Sequence, residues 1–283
     1  MITAVRGDKP DDLETPKNFK TRKKNDNLKQ WKDKPLHGQF VRQNEEQVNT
    51  KTWIWLKKGK LKKETESLII AAQDQAIRTN YIKARIDKSQ PNSKCRMCHS
   101  ADETASHIVS GCQKLAQKQY KRRHDNVAKA IHWDILGRCG FDRKQKWYEH
   151  IPECQVENEK FKILWDFSIR TDNEIQARRP DLVVIDKEAM TCKIIDVAIP
   201  EDTGVKAKED EKILKYQDLA REIRKMWGVR TEVIPVVMGA LGTVPKRLEK
   251  YLESMGVSTP IELIQRTALL GTARILRQVI EIT

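Results

Sequence analysis

The sequence predicts an α/β fold, a sheet-containing part preceded by a mostly helical segment holding a compact group of thiols and imidazoles. Two observations predict it. From about residue 160 onward, β-branched runs alternate with amphipathic stretches in the order β-β-β-α-β-α-α. Upstream, polar sequence of helical character surrounds three of the six cysteines. A chain of 283 residues, 39% of them hydrophobic, is enough for one large domain or two small ones with a real core.

Residues 1–50 are polar, lack hydrophobic periodicity and carry the basic run "KTRKKNDNLKQWKDK", which reads as largely disordered or loosely helical. A helical linker with the cysteine group is expected over 51–155, and the sheet-containing part over 156–283. Between Glu64 and Asp87 the apolar positions form a helical stripe interrupted by the polar Gln75. "KSQPNSK" at 88–94 is a turn-rich connection, and helical sequence resumes at 113–136 and 143–150.

"EKFKILWDFSI" and the runs Leu182–Ile185 and Ile194–Ile199 read as strands. Ile213, Tyr216, Leu219, Ile223 and Trp227 recur at gaps of three and four, predicting one helix over 206–227 closed by Gly228. A strand over 230–242 and a helix ending at Gly256 follow. Thr259, Pro260 and Glu262 then suit the N-cap, N1 and N3 positions of a terminal helix.

Lys and Arg outnumber Asp and Glu by 54 to 40, a net charge of +14. Such an excess suits a polyanionic partner, because each neutralised phosphate releases a counterion. The N-terminus has no apolar core of a secretory signal, and no run approaches the ~20 apolar residues of a membrane span. A reducing compartment is therefore expected, with cysteines as thiols or metal ligands.

"CRMCHSADETASHIVSGC" sets Cys95, Cys98, His107 and Cys112 in the pattern C-x2-C-x8-H-x4-C. Zinc takes four such ligands in a tetrahedron, and a closed Cys3His set leaves no open position, so the expected ion is structural. His107 is preferred to His99, since adjacent residues seldom reach one ion without strain. Cys139, Cys154 and Cys192 read as small core residues.

The stretch "RRPDLVVIDKEAMTCKIIDVAIP" raises a different question, because two strand-like runs each carry an acid, Asp181 and Asp196. A hairpin with a four-residue loop pairs Asp186 with Thr191, and the same register sets Asp181 across from Asp196, with Cβ atoms roughly 4.5–5.5 Å apart. Opposed like charges are destabilising. A hard divalent cation between them, Mg2+ or Mn2+, would remove the repulsion and supply an activated water. The other reading of the residues is a shifted register in which Asp181 ends a turn after Pro180. Downstream, Lys208, Lys212 and Lys215 lie at i, i+4 and i+7, either a solvated face or a set of ammonium groups beside a phosphate.

The order of these features, a CCHC group, "RRPDLVVID", "IIDVAIP" and "EKILKYQDLAREI", resembles the C-terminal part of reverse transcriptases from site-specific non-LTR retrotransposons. That region joins a CCHC zinc knuckle to a restriction-like endonuclease of the PD-(D/E)xK fold. The resemblance spans roughly residues 50 to 280. It implies that Asp181 and Asp196 bind Mg2+ or Mn2+, and that Lys215 followed by Tyr216, with Lys212 as rival, supplies the catalytic lysine from the helix. The plain pattern would put lysine at 198, where this chain has Ala198. It also implies target-DNA nicking in the nucleus, with DNA and the element's RNA as partners and no membrane or small-molecule substrate. Lys208, Lys121, Arg122 and Arg123 are the expected phosphate contacts. No Tyr-x-Asp-Asp hairpin occurs, so no reverse transcription is expected. The alternative is a catalytically inactive nucleic-acid binder derived from such an element.

Overall fold

The computed structural model describes residues 15–44, 50–256 and 261–281. Its N-terminal third is helical: α1 (Pro16–Lys32), α2 (Gln39–Asn44), α3 (Ile54–Lys58), α4 (Lys63–Gln73) and α5 (Asn80–Arg85). The basic run expected to be disordered or loosely helical is thus a 17-residue helix, with Pro16 in its first turn. Thr15 Oγ1 caps it, accepting from Asn18 N–H at 3.3 Å. The single helical stripe read over Glu64–Asp87 is instead two helices, α4 ending at Gln73 and α5 starting at Asn80, and Gln75 between them sits in the left-handed region at φ 52°.

A wide turn of π type at His107–Gly111 precedes α6 (Gln113–Leu115), and a second at Ala116–Tyr120 separates it from α7 (Lys121–Arg138). The helix expected at 143–150 is only a short 3-10 turn, Trp147–Glu149. The cause is competition from α7: the Trp133 indole donates to the Lys144 carbonyl at 2.6 Å, and Arg143 donates to the Trp133 carbonyl at 3.1 Å. Cys154 is exposed rather than a core residue, whereas Cys139 and Cys192 are buried as expected.

A five-stranded sheet follows in sequential order: β1 (Gln155–Glu157), β2 (Phe161–Trp165), β3 (Leu182–Asp186), β4 (Thr191–Ala198) and β5 (Arg230–Val237). The first four are antiparallel, and β5 joins β4 in parallel after a helical crossover. The β3–β4 ladder pairs Asp186 with Thr191 and Leu182 with Ile195, the register that the four-residue loop implies. The crossover is two helices, α8 (Val205–Lys215) and α9 (Gln217–Trp227), instead of one over 206–227. The break falls at Tyr216, which leaves helical geometry at ψ 10° while its ring stays buried and its hydroxyl reaches Asp196. Gly228 closes α9 at φ 64°.

β5 stops at Val237, short of 242, because the buried Asp202 carboxylate pins a turn there. It accepts from Leu241 N–H at 2.8 Å and Thr243 N–H at 3.0 Å. The last helices are α10 (Leu248–Ser254) and α11 (Ile261–Ile280). The expected cap Thr259–Pro260 lies outside the described residues, and Glu262 stands in the first turn of α11. Among the described residues no helix is long and apolar enough to cross a membrane.

Alternation along the strands sends side chains to two cores. Ile163, Leu182, Ile195 and Ile234 pack on one face with Val127 and Ile131 of α7, Leu248 of α10, and Ile264 and Ala268 of α11. Leu164, Val183, Ile194 and Cys192 pack on the other with Tyr216, Leu219 and Ile223. A third core joins Trp55, Ile69 and the cysteine-bearing segment to Leu269, Ala273, Leu276 and Val279 of α11. Apolar packing therefore crosses the division expected at 155, with α7 on the sheet and α11 shared between two cores.

Candidate metal centre and acidic cleft

Cys95 and Cys98 bracket a tight turn closed by His99 N–H donating to the Cys95 carbonyl at 2.8 Å. His107 begins the first π-type turn and Cys112 ends it. The surrounding loop is locked by Glu103, fully buried, whose carboxylate accepts from the Arg96 guanidinium at 2.8 and 2.9 Å and from Asn80 N–H at 2.8 Å.

The four ligand atoms lie within 4.8 Å of one another. Cys95 Sγ is 4.0 Å from Cys112 Sγ, and Cys98 Sγ is 3.3 Å from His107 Nε2. Tetrahedral coordination at a Zn–S distance of ~2.3 Å sets ligands roughly 3.5–3.8 Å apart, so the set fits a zinc ion. His99, at φ 55°, stands outside the group. Burial would raise the Cys98 thiol, yet hydrogen bonds from the Ser100 hydroxyl, the Ala101 and Ser100 backbone and His107 bring it down to about 5. Zinc binds the thiolate form.

The two acids stand at one end of the sheet, beside an open cleft of about 530 Å³. Asp181 lies one residue before β3 and its side chain extends the ladder: Val197 N–H donates to Asp181 Oδ2 at 2.7 Å. Asp196, on β4, is 3% exposed. Tyr216 OH donates to its Oδ1 at 2.5 Å, and Lys212 Nζ lies 2.6 Å from its Oδ2. Lys215 Nζ stands farther off, at 3.9 Å, and donates to Tyr216 OH at 3.0 Å. Burial first, and then the Asp196 charge, raise the Tyr216 phenol well above its ordinary value, so it keeps the proton that it donates to Asp196. Of the two rival lysines, Lys212 is the one in direct contact with the acid.

Loop 166–180 is clasped at its base, where Arg179 donates to both oxygens of Asp166 at 2.7 Å. Lys121, Lys208 and Lys212 line the cleft. Lys208 is paired with Glu211 at 2.5 Å, and Lys121 and Arg122 are exposed. Arg123 does not fit the expected surface phosphate contact. It is 2% exposed, and its guanidinium donates to Thr272 Oγ1 at 2.8 Å and to the Ile199 carbonyl at 3.2 Å, tying α7 to α11 and to the end of β4.

The sequence did not single out His124. Its Nε2 lies 3.0 Å from Asp181 Oδ2 and 3.1 Å from the Val197 carbonyl, and its Nδ1 lies 3.0 Å from Asp125 Oδ1. Burial alone would lower its pKa, but hydrogen bonding and charge from Asp181, then Asp125, raise it to about 9. At neutral pH it is an imidazolium, with both ring nitrogens donating. A His–Asp pair opening a helix inside a basic run was the available signal; its meaning depends on a partner 57 residues away.

A folded pKa above the ordinary 6.5 adds stability in full below 6.5 and loses it as pH rises through about 9. Urea unfolding of wild type and His124→Gln across that window is expected to show a difference that fades toward alkaline pH. A gap that instead widens with pH would contradict the charged pair.

No protein-family model matches the chain, and no curated protein matches its sequence.

Proposed function

We propose that the protein is a Mg2+- or Mn2+-dependent endodeoxyribonuclease with a zinc knuckle, derived from the tail of a non-LTR retrotransposon reverse transcriptase and acting on nuclear DNA. One observation carries the reading: Asp181, just before β3, lines a cleft with Lys121, Lys208 and Lys212, while Asp196 on the adjacent β4 is buried with Lys212 and Tyr216 seated on its carboxylate. A mixed sheet flanked by helices, with acids on adjacent strands, agrees with a PD-(D/E)xK architecture.

The donor set suits a hard cation. Both hydrogen bonds to Asp181 fall on Oδ2, which leaves Oδ1 with lone pairs to offer, and Asp196 Oδ2 is met by the ammonium of Lys212 alone. Asp181 and Asp196 would hold the ion, which when bound supplies a Lewis acid and an acidified water. The remaining roles belong to the chain. Tyr216 fixes the Asp196 rotamer, and His124 with Val197 N–H fixes that of Asp181. Lys212, released from Asp196, and Lys208 neutralise the phosphate oxygens as charge grows on them. Lys121 and Arg122 hold the backbone of the DNA without reading its bases.

Supercoiled plasmid incubated with protein and Mg2+ or Mn2+ is expected to be nicked. Asp181→Asn and Asp196→Asn should lower the rate at least ~100-fold while DNA binding persists. Nicking that survives both substitutions would remove this pair from catalysis.

A second reading has an observation of its own. Each acid already has a cationic partner from the chain, Lys212 for Asp196 and His124 for Asp181, so the pair stands without a metal. A non-cleaving nucleic-acid binder descended from the same element accounts for that, and wild-type protein that binds but never nicks would select it.

A further inference from the structure

Helix α1 buries none of its residues, yet it is one of the longest helices among those described. Seven of its seventeen residues are Lys or Arg, against the single acid Asp26. At 100° per residue, Lys17, Lys20 and Lys24 share one side, while Arg22 and Lys29 lie on the opposite side. Cations at i, i+3 and i+4 repel one another, and an isolated helix of this length is marginal in water. Beyond its Thr15 cap and Pro16, little in its own sequence favours this helix, and among the described residues only Trp31 and Lys32 of it are half-buried.

Its C-terminal end is nevertheless built in. The Trp31 indole donates to Asp74 Oδ1 at 2.9 Å. The Arg42 guanidinium grips the carbonyls of Lys32, Lys34 and Pro35, the last two at 2.6 and 3.1 Å. Gly38 comes so near the Lys32 carbonyl that a Cβ there would collide with it. The helix is an arm anchored at one end, with charge around most of its girth.

We infer that α1 is a DNA-binding arm that lies in the major groove of a duplex. The inference rests on the reading above that the polyanion is DNA, and it adds the element and the groove. A helix charged on opposite sides has nowhere to be neutralised on a flat anionic surface, but between the two phosphate rails of a groove both sides are met at once. The B-form major groove, about 12 Å wide, admits an α-helix, whereas the deep, narrow A-form one does not. Phe19, Leu28 and Trp31 do not form one apolar stripe, so the arm lacks the face with which a helix lies in a membrane.

The test is the salt dependence of binding by the full chain, without added Mg2+ or Mn2+, to a duplex DNA, a duplex RNA and phosphatidylserine-containing vesicles. Lys17→Gln, Lys20→Gln, Lys24→Gln and Lys29→Gln combined should flatten the slope of log K against log salt on DNA by about 3.6, at ~0.9 per phosphate contact. Asn25→Pro, which breaks the helix and keeps every cation, should weaken DNA binding at least ~10-fold, because groove docking needs the helix itself. Circular dichroism should show the rest of the fold intact. Equal losses on RNA or on vesicles would overturn the groove assignment, as would an Asn25→Pro variant that binds DNA like wild type. A wild type that binds no duplex defeats both this arm and the DNA reading; one that binds but ignores the α1 variants defeats the arm alone.

Discussion

Stripping metal from the cysteine group, or replacing Cys95 with serine, is expected to lower the unfolding temperature of the entire chain. Cys95 and Cys112 are fully buried in a core that they share with Ile69, Ile108 and the terminal helix, and Leu276 and Val279 belong to the same cluster. An isolated zinc finger draws ~10–16 kcal/mol of apparent folding free energy from its ion. Here much apolar packing would survive, so a loss of about 5 kcal/mol is the reasonable scale. At ~2–4 °C per kcal/mol for a chain of this size, the midpoint should fall by about 10–20 °C. Calorimetry before and after chelation, with bound metal quantified, measures it. An unchanged midpoint after demonstrated metal loss would mean that the four residues hold no structural ion.

Asp196→Ala is expected to destabilise the protein by about 3–5 kcal/mol, the usual result of leaving one half of a buried charged pair behind. Lys212, whose side chain is 15% exposed, would keep its ammonium with no carboxylate at 2.6 Å, and the buried Tyr216 hydroxyl would lose its acceptor. Lys212→Met should cost much less, since Tyr216 stays bonded to Asp196 and Lys215, 41% exposed and 3.9 Å away, can close in.

The same pair governs the response to divalent cations. In the wild type an entering ion must displace the Lys212 ammonium; in Lys212→Met it need not. Added Mg2+ should therefore raise the melting temperature of Lys212→Met more than that of wild type, by the linkage between binding and stability. It should have no such effect on Asp196→Ala. Identical shifts in all three proteins would place the ion elsewhere.

Two pieces of short-range geometry were legible in the sequence. The loop between Asp186 and Thr191 sets the pairing of β3 with β4, and so brings Asp181 and Asp196 to one end of the sheet. The spacing of Cys95, Cys98, His107 and Cys112 confines four ligands to one short stretch of chain. What stayed hidden rests on contacts between distant segments. Apolar periodicity runs unbroken through Tyr216, so the bend between α8 and α9 becomes visible only once Asp196 is in place as an acceptor. Arg123 sits in a basic run that looks solvated, and only the docking of α11 buries it. His124 acquires its charge from Asp181 in the same way. Residues 143–150 are tied to α7 instead, by the Trp133 indole reaching the Lys144 carbonyl and the Arg143 guanidinium reaching the Trp133 carbonyl, which a local pattern does not register.

The position of α11 has a consequence for the order in which the molecule can be made. Leu269, Leu276 and Val279 complete the wall behind Cys95 and Cys112, but a ribosome adds them only after the whole sheet has been translated. At ~5–20 residues per second, the cysteine-bearing segment waits roughly ten seconds or more for its last packing partners. During that interval its thiols remain open to solvent and to competing metals or oxidants. Early ion capture would then act as a placeholder that keeps the nascent segment folded until the final helix arrives to seal it.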